Sequence, residues 1–198
     1  MEIKHAYWIF RNELSEKNRN KIKRIAKKSG YTDAITKSFY SSDKQKDAKI
    51  RDVGITFSND PFLYDVFTPL VNSANEQSGW KYDLDWFEGV QIAKYKKNQH
   101  YTWHRDGASD HFASYSNGEN FKGKIRKVSL VACLSNGYVG GDLELALQEQ
   151  DKENEILRPE MEAGDVIIFP SYIFHRSTAI EKGVKYSASM WCLGPPFK

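Results

Sequence analysis

The residues of this chain best suited to chemistry lie in the segment YTWHRD, where His104 and Asp106 stand two apart. In an extended strand, side chains at that separation leave the same face, and an imidazole beside a carboxylate forms a pair of metal donors. A third donor, His175, ends AGDVIIFPSYIFH, in which a strand, a turn and a second strand can return it to the same end of a sandwich. One carboxylate and two imidazoles leave three coordination positions open, which suits non-haem Fe(II) and differs from closed structural zinc sites. The other histidines fit less well. His5 lies near the amino terminus, His100 faces away from a strand-borne Tyr101 or falls in a turn, and His111 sits in a polar loop as the alternative ligand.

Ten residues after His175 comes Lys185, in phase with Ser187, Ser189 and Trp191 along GVKYSASMW, so all four share one strand face. A cation aimed into a barrel is costly unless an anion meets it. A cofactor bearing a carboxylate is one such partner; the alternatives are a lysine that snorkels to the rim and one paired with an acidic side chain.

These residues need a scaffold that brings segments some 70 positions apart to one place. The chain has 198 residues, 40% hydrophobic, 14% aromatic and 28% charged, with mean hydropathy −0.65, which describes one ordinary folded domain and excludes a disordered or collagen-like chain. No apolar run approaches the roughly 18 residues of a membrane span, and MEIKHAYWIF lacks the pattern of a secretory leader. Cys133 and Cys192 are too few for a disulfide framework and are expected to stay reduced, in a cytoplasmic protein. Residues 1–50 carry 13 Lys/Arg against 6 Asp/Glu. Most of that excess lies on a helix over 15–30, capped by Ser15 and stopped by Gly30, with Ile22, Ile25 and Ala26 as its apolar stripe. A solvated basic face needs no ligand, so a nucleic-acid partner is not expected.

A strand over 49–57 and a helix begun by Asp60-Pro61 follow, with Pro69 expected to kink or divide that helix and Gly79 to end it. From Trp86 the texture becomes short β-rich runs: strands are expected near 86–96, 101–106, 127–135, 142–148, 155–159, 165–169, 172–175 and 184–193, with a long polar loop at 107–125. Two helices and about eight strands predict an α+β, mainly β fold: a double-sheet sandwich or jelly roll with amino-terminal helices packed on one sheet.

From Trp86 onward the sequence resembles the 2-oxoglutarate and Fe(II)-dependent oxygenases, in particular the prolyl 4-hydroxylase-like branch and its small bacterial and phage relatives. The resemblance is carried by YKKNQHYTWHRD, by IRKVSLVACLSNGYVGGDLEL and by AGDVIIFPSYIFHRSTAIEKGVKYSASMW. It implies a double-stranded β-helix over 86–198 supported by residues 1–85, in one domain spanning 1–198. It also implies His104, Asp106 and His175 as iron ligands, with no catalytic residue beyond them. Lys185 and Tyr95 become the partners of the 2-oxoglutarate C5 carboxylate, and Arg126 and Trp191 lie near the substrate. Asn98 stands where the family has a turn glycine, which is tolerable because Asn visits positive φ. Lys185 replaces the arginine of many relatives, giving a point charge where they have a bidentate fork. Gly140 and Gly141 read as a tight turn.

The implied reaction consumes 2-oxoglutarate and O2, releases succinate and CO2, and hydroxylates an unactivated C–H bond, most simply of a prolyl residue in a protein or peptide, with ascorbate as reductant. The loop GASDHFASYSNGENFKGK is the expected lid. The alternatives are a 2-oxoglutarate oxygenase acting on nucleic acid or a small molecule, a cupin-type metalloprotein without 2-oxoglutarate, and a binding domain that kept the fold.

Overall fold

The computed structural model describes residues 5–34, 36–37, 44–45, 49–107, 113–147 and 156–197. Helix α1 (Glu16–Ser29) starts where Ser15 Oγ accepts the Asn18 N–H at 3.2 Å and ends at Gly30, whose φ of 79° a Cβ would oppose. It buries Ile22 and Ala26. Helix α2 (Pro61–Gln77) is capped by Asp60, whose carboxylate accepts from the Phe62 N–H at 3.0 Å. Pro69 does not divide it: the helix runs on through that residue. An interior proline costs about 3 kcal/mol, whereas Leu63, Phe67, Leu70, Val71 and Ala74 are all buried, and each larger one contributes roughly 1.5–3 kcal/mol. Core burial outweighs the lost hydrogen bond.

The strands are β1 (Trp8–Phe10), β2 (Thr32–Asp33), β3 (Thr36–Lys37), β4 (Lys44–Gln45), β5 (Arg51–Asp52), β6 (Gly54–Ser58), β7 (Trp86–Phe87), β8 (Val90–Tyr95) and β9 (His100–His104). They continue with β10 (Ile125–Cys133), β11 (Val139–Gly140), β12 (Leu143–Ala146), β13 (Ile156–Leu157), β14 (Val166–Pro170), β15 (Phe174–Ser177), β16 (Ile180–Lys182) and β17 (Lys185–Gly194). The major sheet runs β1-β14-β10-β17-β8-β6-β2, with β7 also on β17, and the minor sheet runs β13-β12-β15-β9-β5. All of these pairings are antiparallel. The chain repeatedly changes sheet at a turn, from β5 to β6, β8 to β9 and β14 to β15, which makes a double-stranded β-helix of two facing layers.

Both helices pack on the outer face of the major sheet, where Ile22, Phe67, Trp80, Ile92, Leu130, Ile168 and Met190 share one core. A second cluster of Leu143, Leu145, Ile167, Phe169 and Ile173 fills the space between the sheets. Strand β1 is too short to betray itself by alternation, and residues 86–96 form two strands because Glu88-Gly89 interrupts them. The strand over 142–148 ends at Ala146, and residues 148–155 lie outside the described ones.

Candidate active site

The turns between sheets place the chemistry. After Tyr95 the chain leaves the major sheet through Asn98, which adopts φ 67° and donates its N–H to the Ile180 carbonyl at 2.7 Å. It then enters the minor sheet as β9, whose last residue is His104. Likewise β14 ends at Pro170, and the Ser171-Ile173 turn delivers His175 to β15, directly opposite His104 in the register. Asp106 departs from expectation. The strand stops at His104, so Asp106 reaches the site from a bend and not from strand alternation. That bend is fixed by the Asp106 N–H on the Ser171 carbonyl at 3.1 Å and by Ser129 Oγ donating to Asp106 Oδ2 at 2.8 Å. The Trp191 indole faces the same carboxylate and helps to hold its pKa down.

His104 Nε2 lies 3.7 Å and His175 Nε2 3.4 Å from Asp106 oxygens, and one donor atom of each residue lies within 4.8 Å of the others. Each Nδ1 meets a backbone carbonyl, Thr102 at 2.8 Å and Ile173 at 2.9 Å. A carbonyl only accepts, so Nδ1 carries the proton and the Nε2 lone pair faces inward, the tautomer a metal ligand needs. Burial and the adjacent His175 hold the His104 pKa down to about 3. Burial alone would raise Asp106, but His175, His104 and Arg126 together bring it to about 2. A carboxylate and two imidazole lone pairs therefore converge on one point.

A cavity of about 190 Å3 opens beside this cluster, and all seven residues singled out in the sequence line it: Tyr95, His104, Asp106, Arg126, His175, Lys185 and Trp191. Lys185 is 8% exposed and stands opposite Tyr95 in the β17–β8 register, with its Nζ 5.6 Å from that ring. It neither reaches the rim nor pairs with a carboxylate among the described residues; Nζ donates to the Gly141 carbonyl at 2.6 Å and to Ser177 Oγ at 3.4 Å. Burial pushes its pKa down. Gly141, read in sequence as a turn residue, is thus also a wall of the lysine's slot: at φ 71°, a Cβ there would collide with Ile180 and stand 3.2 Å from Lys185 Cδ. Arg126 differs from a free arginine at the mouth. Its guanidinium is held by both Glu88 oxygens at 2.5 and 2.7 Å and lies 4.1 Å over the Trp191 ring.

Three further residues escaped the sequence reading. Tyr101 stacks on His104 with centroids 3.5 Å apart. Arg51 lies 4.4 Å from the Tyr101 ring and donates to Gln91 Oε1 at 3.0 Å, so a buried guanidinium also lines the cavity. Gln91 is in phase with Tyr95 on β8, a signal that was available; Arg51 sits on a two-residue strand that carries no such pattern. His100 opens β9 and bonds the Asn98 and Lys49 carbonyls, away from the cluster, and His5 packs edge-on against Trp8. His111 lies outside the described residues, as do 108–112 of the expected lid. The rest of that loop is a closed turn, with Phe121 against Trp86 at 4.6 Å and Tyr115 bonded to Gly123 and Lys124.

An antiparallel double-stranded β-helix with two histidines and an aspartate at one end offers the open three-donor metal site that non-haem Fe(II) oxygenases use. Residues 90–193, just over half the chain, match the 2OG-Fe(II) oxygenase superfamily, and the chain belongs to it. No curated protein matches significantly in sequence. Among solved structures, the chain resembles the viral collagen prolyl hydroxylase of Paramecium bursaria Chlorella virus-1 in its 2OG complex (18% identity, 96% of this chain and 97% of that chain, TM-score 0.65). It also resembles a prolyl-4-hydroxylase of Pseudomonas putida (17%, 95% and 92%, 0.65). A third is a Trichoplax adhaerens prolyl hydroxylase in complex with a hypoxia inducible factor oxygen degradation domain peptide fragment (14%, 94% and 83%, 0.69). Fe(II) and 2-oxoglutarate are the cofactors of this superfamily, and the residues present fit them: an open donor set for the metal, and for the co-substrate a buried cation that forms no ion pair with a carboxylate among the described residues. The burial of Lys185 removes the ground for a metalloprotein without 2-oxoglutarate. Among the described residues, no helix is long and apolar enough to cross a membrane.

Proposed function

We propose that this protein hydroxylates a prolyl residue of a protein or peptide, releasing succinate and CO2. The observation that carries the reading is the single cavity in which the His104, Asp106 and His175 donors and the Lys185 ammonium face the same space. His104 Nε2, His175 Nε2 and an Asp106 oxygen hold Fe(II), which with 2-oxoglutarate and O2 supplies the oxidising power to insert one oxygen atom into a C–H bond. Lys185 and the Tyr95 hydroxyl take the C5 carboxylate, a charge-assisted contact in a buried slot. Ser129 and Trp191 keep the Asp106 carboxylate oriented.

Trp191 offers an apolar face suited to a pyrrolidine ring. Arg126, fixed by Glu88, retains N–H donors for carbonyls of an extended peptide. Two of the structural relatives are prolyl hydroxylases described with collagen or a hypoxia inducible factor peptide, both polypeptides, which supports the same substrate class here. The whole of 1–198 acts as one catalytic domain in the cytoplasm, with residues 1–85 supporting 86–198 and ascorbate keeping the iron reduced. The test is to incubate the iron-loaded protein with 2-oxoglutarate, ascorbate and proline peptides, against free proline, lysyl peptides and single-stranded nucleic acid. Succinate and a gain of one oxygen mass are expected on the proline peptides; turnover confined to another member of the set overturns the assignment.

A further inference from the structure

Across the major sheet from the cavity lies a second concavity. Side chains alternate between the faces of β8 and β17, so Tyr95 and Lys185 line the active site while their neighbours Lys94 and Tyr186, paired with each other in the register, line an open groove of about 930 Å3 on the helical side. One wall is α1, through Lys17, Lys23, Arg24 and Lys27, and Tyr31 completes the floor. Among the described residues, five cations and no carboxylate line this groove. None of the five forms an ion pair with a carboxylate among the described residues.

A basic helix face that simply meets water spreads its charges outward. Here charges from two elements converge: Lys23 and Lys94 are half-buried and approach the groove from the helix and from the sheet. The Lys94 ammonium lies 5.9 Å from the Tyr31 ring and 5.6 Å from the Tyr186 ring, which places it in the groove. The site therefore concentrates positive charge that no carboxylate meets among the described residues, the feature an anionic ligand satisfies.

We propose that this groove docks an acidic segment of a partner polypeptide. Lys17 to Lys27 spans ten residues of helix, about 15 Å, the length of roughly five extended residues. Along the axis, Lys17 stands about 9 Å from Lys23 and Lys23 about 6 Å from Lys27, a range that brackets the roughly 6.6–6.8 Å repeat of same-face carboxylates in such a segment. Single-stranded nucleic acid fits less well: its binding sites cover about 4–16 nucleotides and use open aromatic faces, whereas this stripe is shorter and Lys94 already lies over both tyrosine rings.

The test is fluorescence anisotropy of labelled hexaglutamate with the whole protein, compared with oligothymidylate. Binding is read without turnover, so it is independent of the reaction proposed above. Saturable binding of hexaglutamate is expected at about 0.05 M salt, weakened at least about tenfold by about 0.3 M salt and by the double reversal Lys17→Glu with Lys27→Glu. Both positions are exposed helix sites where Glu is as good a helix former as Lys. Should that variant fail to melt like the wild type, Lys23→Gln with Lys94→Gln serves in its place, with the same loss expected. No saturable binding, unchanged affinity in the folded variant, or tighter binding of oligothymidylate overturns the proposal.

Discussion

Replacing Lys185 by methionine keeps most of the stem that fills the slot beside Gly141 and removes the ammonium, its charge together with its two hydrogen bonds. In the ligand-free protein the ammonium has neutral partners alone, the Gly141 carbonyl at 2.6 Å and Ser177 Oγ at 3.4 Å. It has three N–H donors, so one donor and the whole positive charge remain for a ligand carboxylate. A hydrogen bond to a charged group contributes about 1.5–3 kcal/mol, which predicts a loss of roughly 10–150-fold in 2-oxoglutarate affinity. The assay is anaerobic calorimetric titration of the iron-loaded protein, where no turnover confuses binding. Lys185→Arg restores the charge in a slot already tight at Gly141, so its affinity should lie between those of wild type and Lys185→Ala.

A second readout separates a ligand-binding lysine from a structural one. Burial disfavours the charged form of Lys185, so the ligand-free methionine variant should melt no lower than wild type, and higher by about 2–4 °C for each kcal/mol of burial cost relieved. Equal 2-oxoglutarate affinity in wild type and Lys185→Met would refute the placement of the co-substrate, and a lowered ligand-free melting temperature would refute the claim that this cation waits for an anion.

His175→Ala should abolish Fe(II)-dependent succinate formation while leaving far-UV circular dichroism unchanged, because an open catalytic site contributes less to folding than a closed structural one. Ser129→Ala removes the 2.8 Å bond that orients Asp106; loss of such a supporting partner typically weakens metal affinity about 10–100-fold, read by competition with a chelator, with the ligands themselves intact. Asp165 is drawn below the usual carboxylate range: burial would raise it, but the Asn12 and Glu162 N–H groups and Arg11 outweigh that. A carboxyl whose folded pKa is depressed lends stability above its unfolded value of about 3.9 and loses it as pH falls through the folded value, so Asp165→Asn should flatten the acid limb of a stability-against-pH curve.

What the sequence makes visible here is what the chain carries locally. The cap at Ser15, the stop at Gly30 and the start at Asp60-Pro61 are decided within a turn of each residue, and the helices begin and end there. Lys185 is readable as an inward charge because the period of two along β17 holds from Lys185 to Trp191. Asp106 is instructive, since its nearness to His104 was legible but its cause was not. The strand ends before it, and the carboxylate is aimed by Ser129, Ser171 and Trp191, which come from 23 or more positions further on. The same reason hides Arg51. Its partner Gln91 is 40 residues away and its stacking partner Tyr101 is 50 away, so no spacing within either segment reports that they meet. In a fold whose turns alternate between two sheets, each wall of the cavity is drawn from distant strands. Residue types that advertise their chemistry, such as two histidines and an inward lysine, can be found one segment at a time. The arginine, glutamine and serine that complete and orient the pocket become functional only through the register that joins those segments.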